Sequence, residues 1–174
     1  MRILPIAAAL TLAGASPALA LTLSSPDLTP GAAMPAAHIY PRCGGRNVSP
    51  ALSWTGAPAA ARSFVLTMID LDVKLALWSH WVVVGLPPST TSLPRGVKAL
   101  PAGAHAVASN FGDAAYDGPC PPHGSGLHHY QLTVWAMPAA TFAAAPDQHA
   151  DDLLARLSKA SMDHASLTVT VAAK

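Results

Sequence analysis

The sequence predicts a mainly β protein with antiparallel strands and one late helix. Several segments rich in β-branched and aromatic residues occur at intervals along the chain, and one amphipathic segment follows most of them. Strand and helix patterns do not alternate in the way that builds a parallel sheet. The 17 prolines lie between the apolar segments, which indicates short connections rather than a disordered tract.

The clearest candidate strands are bounded by proline, glycine or alanine-rich stretches. Residues 63–70 are dominated by apolar and β-branched side chains, residues 81–86 end at a proline pair, and residues 130–137 alternate between apolar and polar positions. Residues 166–172 also alternate, and residues 21–24 are a candidate edge strand. We therefore predict four strands, with a fifth at the start of the mature chain.

One helix is predicted from about residue 147 to residue 161, and we expect it to have a structural role. Its leucines share one face, its acidic residues come early and its basic residues late, as the helix dipole favours. These residues are Leu153, Leu154 and Leu157 on the face, Asp151 and Asp152 early, and Arg156 and Lys159 late. Residues 98–126 have no clear periodicity, and loops of this length in a compact domain tend to be functional.

The first 20 residues have the form of a signal peptide. Arg2 precedes an apolar run, and the small residues Ala18 and Ala20 fit a signal peptidase site, so cleavage is expected after Ala20. The alternative is a membrane anchor, but the run is shorter than the ~20 apolar residues of a spanning helix. We expect residues 21–174 to form a single domain that is periplasmic or secreted, with no transmembrane segment.

The balance of charge excludes two classes of partner. Charged residues make up 11% of the chain, the formal net charge is +1, and no block of lysine or arginine occurs. A nucleic-acid binder, or a protein that docks on a membrane surface, would carry a basic patch. We therefore expect neither as a partner class.

The two cysteines, Cys43 and Cys120, lie in segments rich in glycine and proline. In an exported chain the compartment permits a disulfide between them, and we predict one. Free thiols are the alternative, because the sequence does not give the separation of the two residues.

Candidate chemistry is concentrated at the ends of the predicted strands. In an extended chain, residues two apart face the same side, so Asp70 and Asp72 are expected to converge on one site, as are His128 and Tyr130. His129 then points away, which weakens a metal site built on the histidine pair. The alternative role for the two aspartates is to cap a turn at the strand end.

His80 and a glycine- and proline-rich loop complete the candidate site. His80 lies at the start of a strand between two tryptophans, which would give the imidazole aromatic walls. In the loop 118–124, prolines stiffen the backbone and glycines let a ligand approach it closely. Proline has no N–H, so backbone donors to an anion would come from Gly118, Cys120, His123 and Gly124.

Five short motifs follow one another between residues 38 and 137. They read Gly45-Arg46-Asn47-Val48-Ser49-Pro50-Ala51-Leu52-Ser53-Trp54, Asp70-Leu71-Asp72, Trp78-Ser79-His80-Trp81, Gly118-Pro119-Cys120-Pro121-Pro122-His123-Gly124 and Gly126-Leu127-His128-His129-Tyr130. Each motif alone is weak. Together, in this order, they resemble the phosphatidylethanolamine-binding protein family, and its bacterial Raf-kinase-inhibitor-like branch in particular.

The resemblance implies a fold and a class of ligand. The fold is an antiparallel Greek-key β-sandwich with C-terminal helical structure, and the pocket takes phosphate, acetate or a phospholipid headgroup. The ligand-binding residues that the resemblance implies are Asp70, Asp72, His80, Gly118, Pro119, His128 and Tyr130. No cofactor and no metal is expected.

Two positions depart from the family pattern. Leu71 stands where the family has the proline of Asp-Pro-Asp, and Lys74 stands where a second proline is usual. The loss of a stiff bend at position 74 is expected to make the pocket rim after Asp72 more mobile and to bring Lys74 near its mouth. His129 replaces a common arginine, and we expect little effect on the pocket.

The favoured function is a binding protein that captures phosphate or a phosphoryl headgroup, with modulation of an unidentified partner protein as one use of that capture. A protonated histidine beside Asp72 would make anion binding weaken as the pH rises. One alternative is a phosphoester or ester hydrolase with Asp72 and His128 as an acid–base pair, although the sequence lacks a Gly-x-Ser-x-Gly nucleophile elbow. Another is a metal site of His80, His128 and a carboxylate.

Overall fold

A computed structural model of the chain describes residues 20–145 and 149–173. The predicted signal peptide, apart from Ala20, lies outside the described residues, as do the first positions of the predicted helix. In chain order the elements are β1 (Thr22–Ser24), two short 3₁₀ turns (Ala36–His38 and Pro41–Cys43), β2 (Leu52–Thr55), β3 (Ser63–Asp70), β4 (Trp78–Leu86), β5 (Ser92–Leu93), β6 (His105–Val107), β7 (Leu127–Met137), α1 (Ala150–Ala160) and β8 (Asp163–Ala172).

The strands predicted from periodicity are present. β3 has the predicted bounds, β1 begins one residue later than predicted, and β4, β7 and β8 each begin three residues earlier. The sequence pattern misses β2, β5 and β6, because strands of two to four residues are too short to show an alternation. β6 lies within the stretch 98–126 that has no clear periodicity.

The larger sheet has antiparallel strands in the order β6-β4-β3-β7-β8. β3 lies at its centre, and all of its residues are buried. Phe64, Leu66 and Met68 face one side of the sheet and Val65 faces the other, as the two-residue repeat of a strand requires. Because both faces of the sheet are covered, β3 is apolar along most of its length.

The smaller sheet, in the order β1-β2-β5, covers one face of the larger sheet. Trp54 of β2 lies edge-on to Phe64 of β3, with 5.6 Å between the ring centroids. Both side chains are almost fully buried in the core between the sheets. The mainly antiparallel β fold with one helix is therefore confirmed, and the strand order is compatible with the Greek-key connection that the resemblance implies.

Helix α1 covers the opposite face of the larger sheet. Leu153 and Leu157 are buried against a second apolar cluster that includes Val65, Val82 and Trp135. The acidic residues of the helix lie in its first turn and a lysine in its last, as expected. Within residues 20–145 and 149–173, no helix is long and apolar enough to cross a membrane.

The packing of α1 is tested by Leu157→Ala. Leu157 is fully buried between helix and sheet, so the change leaves a cavity, and we expect the free energy of unfolding to fall by about 2–5 kcal/mol. Urea denaturation followed by circular dichroism measures the loss. The control is Ser158→Ala at the neighbouring exposed position, expected to change stability by less than about 0.5 kcal/mol. Equal stability of the two variants would contradict this packing.

Candidate ligand-binding site

The ends of three strands meet at one edge of the larger sheet. β3 ends at Asp70, which is paired in register with Trp78 at the start of β4 and with Tyr130 near the start of β7. His80 and His128 lie two residues from those partners, on the same faces of their strands. The antiparallel register therefore places one carboxylate between imidazole and aromatic side chains of both neighbouring strands.

Asp70 and His128 form a buried hydrogen-bonded pair. Oδ2 of Asp70 lies 2.7 Å from Nδ1 of His128, and both residues are only 3% exposed. Oδ1 of Asp70 accepts a hydrogen bond from the backbone N–H of Asp72 at 2.9 Å. Both carboxylate oxygens are thus hydrogen-bonded, which offsets the cost of burying them. The second bond is the turn-capping role that was the alternative for the aspartates.

Contrary to the alternation argument, Asp72 does not share the strand face of Asp70, and the two residues line different, neighbouring cavities. β3 ends at Asp70 and the chain then turns, so the alternation of an extended strand does not extend to Asp72. Oδ2 of Asp72 accepts the backbone N–H of His129 at 2.6 Å and lies 2.9 Å from its Nδ1. Burial opposes ionisation of this carboxyl, but the bonds from His129 outweigh it and lower the pKa of Asp72.

The pairing of Asp72 with His129 also changes the acid–base pair expected for a hydrolase. The carboxylate hydrogen-bonded to His128 is that of Asp70, not that of Asp72. His129 points away from Asp70, as the alternation predicts, but it is the group that holds Asp72 in place.

His80 forms one wall of the site, and its imidazole is neutral. Its Nδ1 lies 2.9 Å from the carbonyl oxygen of Asp117, so Nδ1–H donates and Nε2 remains an acceptor. Burial lowers the pKa of His80 to about 4, although the Asp117 carbonyl and the charge of Asp70 act in the opposite direction. The expectation of a protonated histidine beside the anion therefore does not hold for His80 at neutral pH.

The Tyr130 hydroxyl is a buried donor beside Asp70. The residue is fully buried, and its hydroxyl makes no hydrogen bond of normal geometry with the described residues. Burial raises the pKa of Tyr130 strongly, and the charge of nearby Asp70 and the interaction of the hydroxyl with that carboxylate add to the shift. The ring packs edge-on against His80, with centroids 5.1 Å apart. The phenol therefore stays protonated and can donate one hydrogen bond.

Asp70, His80 and Tyr130 line one cavity of about 270 Å³, termed here the aromatic cavity. Trp78 and Phe111 stand edge-on at 5.8 Å and are 37% and 39% exposed, so they form its rim. No lysine or arginine belongs to the lining. The remaining lining residues are Val73, Cys120, Pro121 and Pro122.

His128 lines a second cavity, of about 280 Å³, termed here the serine cavity. Its lining consists of Asp72, Val73, Lys74, Pro122, Ser125 and His128. Val73 and Pro122 belong to both linings, so the two cavities are neighbours. The Asp70–His128 pair connects them, with Asp70 in the lining of one and His128 in the lining of the other. Lys74, expected near the mouth of a single pocket, lines the serine cavity instead.

Gly118 and Pro119 lie outside the lining of the aromatic cavity. The N–H of Gly118 donates to Oδ1 of Asn47 at 2.7 Å, and the carbonyl of Pro119 accepts from the N–H of Tyr40 at 3.0 Å. A Cβ on Gly118 would lie 2.3 Å from the carbonyl oxygen of His38, so only glycine fits there. Contrary to expectation, Gly118 is therefore not a free donor, and residues 120–122 supply the loop wall.

The predicted disulfide between Cys43 and Cys120 is present, with 5.5 Å between the Cα atoms. It links the second 3₁₀ turn to the loop that lines the aromatic cavity. Closing a loop with a sequence separation of 77 residues stabilises the fold by about 4.5 kcal/mol in the chain-entropy account. The bond therefore fixes one wall of the cavity.

Several lining residues were not singled out from the sequence. Phe111 and Ser125 lie in the non-periodic stretch 98–126, where no pattern predicts the direction of a side chain. Val73 follows the strand end at which the chain turns. The tryptophans beside His80 were a usable signal, but only Trp78 reaches the cavity, whereas Trp81 packs in the core against Tyr116.

In the described part of the chain, no cluster of three or more histidine, cysteine, aspartate or glutamate side chains has the geometry to hold a metal ion. The alternative of two histidines and a carboxylate as ligands has no geometric support there. His80 and His128 instead hydrogen-bond to protein oxygens through their Nδ1 atoms.

Comparison with known proteins agrees with this architecture. A family model described as phosphatidylethanolamine-binding protein matches residues 24–172. The chain belongs to this family. The crystal structure of YbcL from Escherichia coli, described as a new member of the mammalian family, superposes with a TM-score of 0.81 and 30% identity, over 88% of this chain and 99% of YbcL.

The matches to known proteins cover different fractions of those proteins' own length. YbcL of E. coli K12 is 38% identical over 128 residues, which are 69% of this chain and 70% of YbcL. LppC, a lipoprotein by name from Mycobacterium tuberculosis H37Rv, is 40% identical over 120 residues, but these span only 57% of LppC. A family homologue, CT736 from Chlamydia trachomatis, superposes with a TM-score of 0.73 and 27% identity, over 87% of this chain and 97% of CT736.

The buried neutral His80 predicts acid sensitivity. Its pKa is lowered from 6.5 to about 4, so the unfolded chain binds a proton here that the folded chain does not. The contribution of neutral His80 to the free energy of unfolding is fully present above pH 6.5. It falls by about 3 kcal/mol as the pH drops to 4. Urea denaturation at pH 7 and pH 4.5 should show a smaller loss in His80→Gln than in the wild type. An unchanged pH dependence in the variant would contradict this assignment.

Proposed function

We propose that this chain is an exported binding protein that captures a phosphoryl group in the aromatic cavity. The observation that carries the proposal is Tyr130, which lines the cavity and whose buried hydroxyl has no hydrogen-bond partner of normal geometry in the described part of the chain. A buried donor left unpaired costs about 1–3 kcal/mol, and a phosphoryl oxygen would satisfy it. The signal-like N-terminus and the lipoprotein name of one relative support export.

The polar groups of the aromatic cavity favour a monoanionic phosphoryl group over a dianion. Nε2 of neutral His80 is an acceptor, so it suits a P–OH group rather than a charged oxygen. The lining holds the carboxylate of Asp70 and no lysine or arginine, so a second negative charge would be repelled. The favoured ligand is a phosphomonoester with one proton on the phosphoryl group.

The same lining suits an ammonium group on the ligand. Trp78, Phe111 and Tyr130 present aromatic rings, and Asp70 presents the carboxylate. A cation near aromatic faces and a carboxylate gains on the order of 1 kcal/mol or more when desolvated. Phosphoethanolamine combines both groups in one small molecule, and a phosphorylated side chain of a partner protein would offer the phosphoryl group alone.

Tyr130→Phe removes the unpaired donor and keeps the ring. We expect the affinity for O-phosphoethanolamine to fall about tenfold, because the phosphoryl group loses one hydrogen bond in a buried site. Isothermal titration calorimetry with wild type and variant measures the difference. The matched control is Tyr40→Phe, which changes a hydroxyl outside the cavity lining. Equal affinity of Tyr130→Phe and wild type would contradict the proposal.

The pH dependence of binding distinguishes the sources of the phosphoryl group. The second pKa of a phosphomonoester is about 6, so the monoanion becomes dominant as the pH falls from 7.5 to 5.5. We expect the affinity for O-phosphoethanolamine to rise about tenfold over this range. Glycerophosphoethanolamine, a diester like a lipid headgroup, has no P–OH and should bind with little pH dependence. Tighter binding of the diester at both pH values would favour a lipid headgroup.

A further inference from the structure

Ser125, His128 and Asp70 follow one another at hydrogen-bond distances. Oγ of Ser125 lies 2.9 Å from Nε2 of His128, and Nδ1 of His128 lies 2.7 Å from Oδ2 of Asp70. A hydroxyl, an imidazole and a carboxylate joined in this order are the groups of an activated serine nucleophile. Such a site is recognised by its geometry and not by the spacing or order of its residues in the chain.

We propose that Ser125 is a nucleophile and that the serine cavity hydrolyses small acyl esters. This activity goes beyond capture of a phosphoryl group and takes place in the neighbouring cavity. It also replaces the acid–base pair of Asp72 and His128 considered from the sequence with a different set of residues, because the hydrogen bonds of His128 run to Ser125 and Asp70.

The burial of the three residues suits these roles. Asp70 and His128 are almost fully buried, so the carboxylate fixes the imidazole tautomer with Nδ1–H toward itself and Nε2 toward Ser125. Ser125 is exposed and lines the serine cavity, so an ester can reach its oxygen. The base is thus shielded from water and the nucleophile is open to substrate.

The backbone around Ser125 leaves room for a substrate. Gly124 and Gly126 flank the serine with φ angles of 74° and 97°, so a sharp turn presents its side chain. A Cβ built on either glycine meets no atom within 4 Å, which shows open space on both sides. Oγ of Ser125 also lies 2.6 Å from the carbonyl oxygen of Pro122, so the hydroxyl hydrogen must rotate from that carbonyl to Nε2 before attack.

Lys74 provides positive charge in the same cavity. Its side chain lines the cavity with Ser125, while the neighbouring Asp72 is bound by His129. An ammonium group beside the reacting carbonyl would stabilise the negative oxygen of a tetrahedral intermediate. The proline expected at this position could not supply such a charge.

The reaction balances with water as the only co-substrate. Oγ of Ser125 forms a bond to the acyl carbon while Nε2 of His128 takes its proton, and collapse of the tetrahedral intermediate breaks the bond to the alcohol, which leaves with that proton. Water then attacks the acyl-serine and gives its proton to Nε2. The carboxylic acid is released as Ser125 recovers a proton from His128.

The test combines covalent labelling with turnover. The full chain is incubated with a fluorophosphonate probe, and the labelled peptide is identified by mass spectrometry. We expect one adduct per chain, on Ser125. Hydrolysis of p-nitrophenyl acetate should fall about a hundredfold or more in Ser125→Ala and in His128→Gln. The control, Ser158→Ala, removes an exposed serine on α1 and should behave as wild type.

Three outcomes would overturn the proposal: no adduct, equal labelling of Ser125 and Ser158, or equal ester hydrolysis by Ser125→Ala and wild type. Because Ser125 is absent from the lining of the aromatic cavity, Ser125→Ala should still bind O-phosphoethanolamine. Failure of the nucleophile and failure of phosphoryl binding are therefore seen separately. Circular dichroism of each variant shows whether a loss of activity reflects loss of the fold.

Discussion

The hydrogen bond between Asp70 and His128 holds together both the edge of the larger sheet and the two cavities beside it. It joins the last residue of β3 to the second residue of β7, and it lies between the aromatic cavity and the serine cavity. Removing one member of a buried hydrogen-bonded pair costs about 1–3 kcal/mol or more, because the other member is left buried without a partner. Stability of the sheet edge and geometry of both cavities therefore depend on the same contact.

The two cavities differ in what they offer a ligand. The aromatic cavity has a carboxylate, a neutral imidazole, an unpaired phenol and ring faces. These groups suit the binding of a small polar group. The serine cavity has a hydroxyl beside an imidazole, together with a lysine. A hydroxyl and an imidazole at this distance suit proton transfer. One carboxylate, Asp70, is common to both, since it lines the aromatic cavity and its Oδ2 bonds to His128, which lines the serine cavity.

The sequence predicts the fold of this protein better than the positions of the side chains in its site. Long strands such as β3 show their period, and the ordered motifs indicate the family, so Asp70, His80 and Tyr130 are found together as expected. The alternation argument fails at Asp72, where the strand has ended and a turn sets the direction of the side chain. Alternation also does not predict the position of Ser125. This residue lies in a loop without periodicity, where the sequence does not indicate which groups come within 3 Å of a histidine.

The loop 118–122, whose residues 120–122 form one wall of the aromatic cavity, is held in place by contacts outside the larger sheet. The Cys43–Cys120 disulfide, the Asn47 amide and the close approach of Gly118 to His38 fix it, and of the three wall residues only Cys120 takes part in these contacts. Substitution of Pro121 or Pro122 therefore changes the cavity wall without removing any of these three contacts. The lining of the aromatic cavity can in this way be altered within one loop while the strands of the larger sheet are left unchanged.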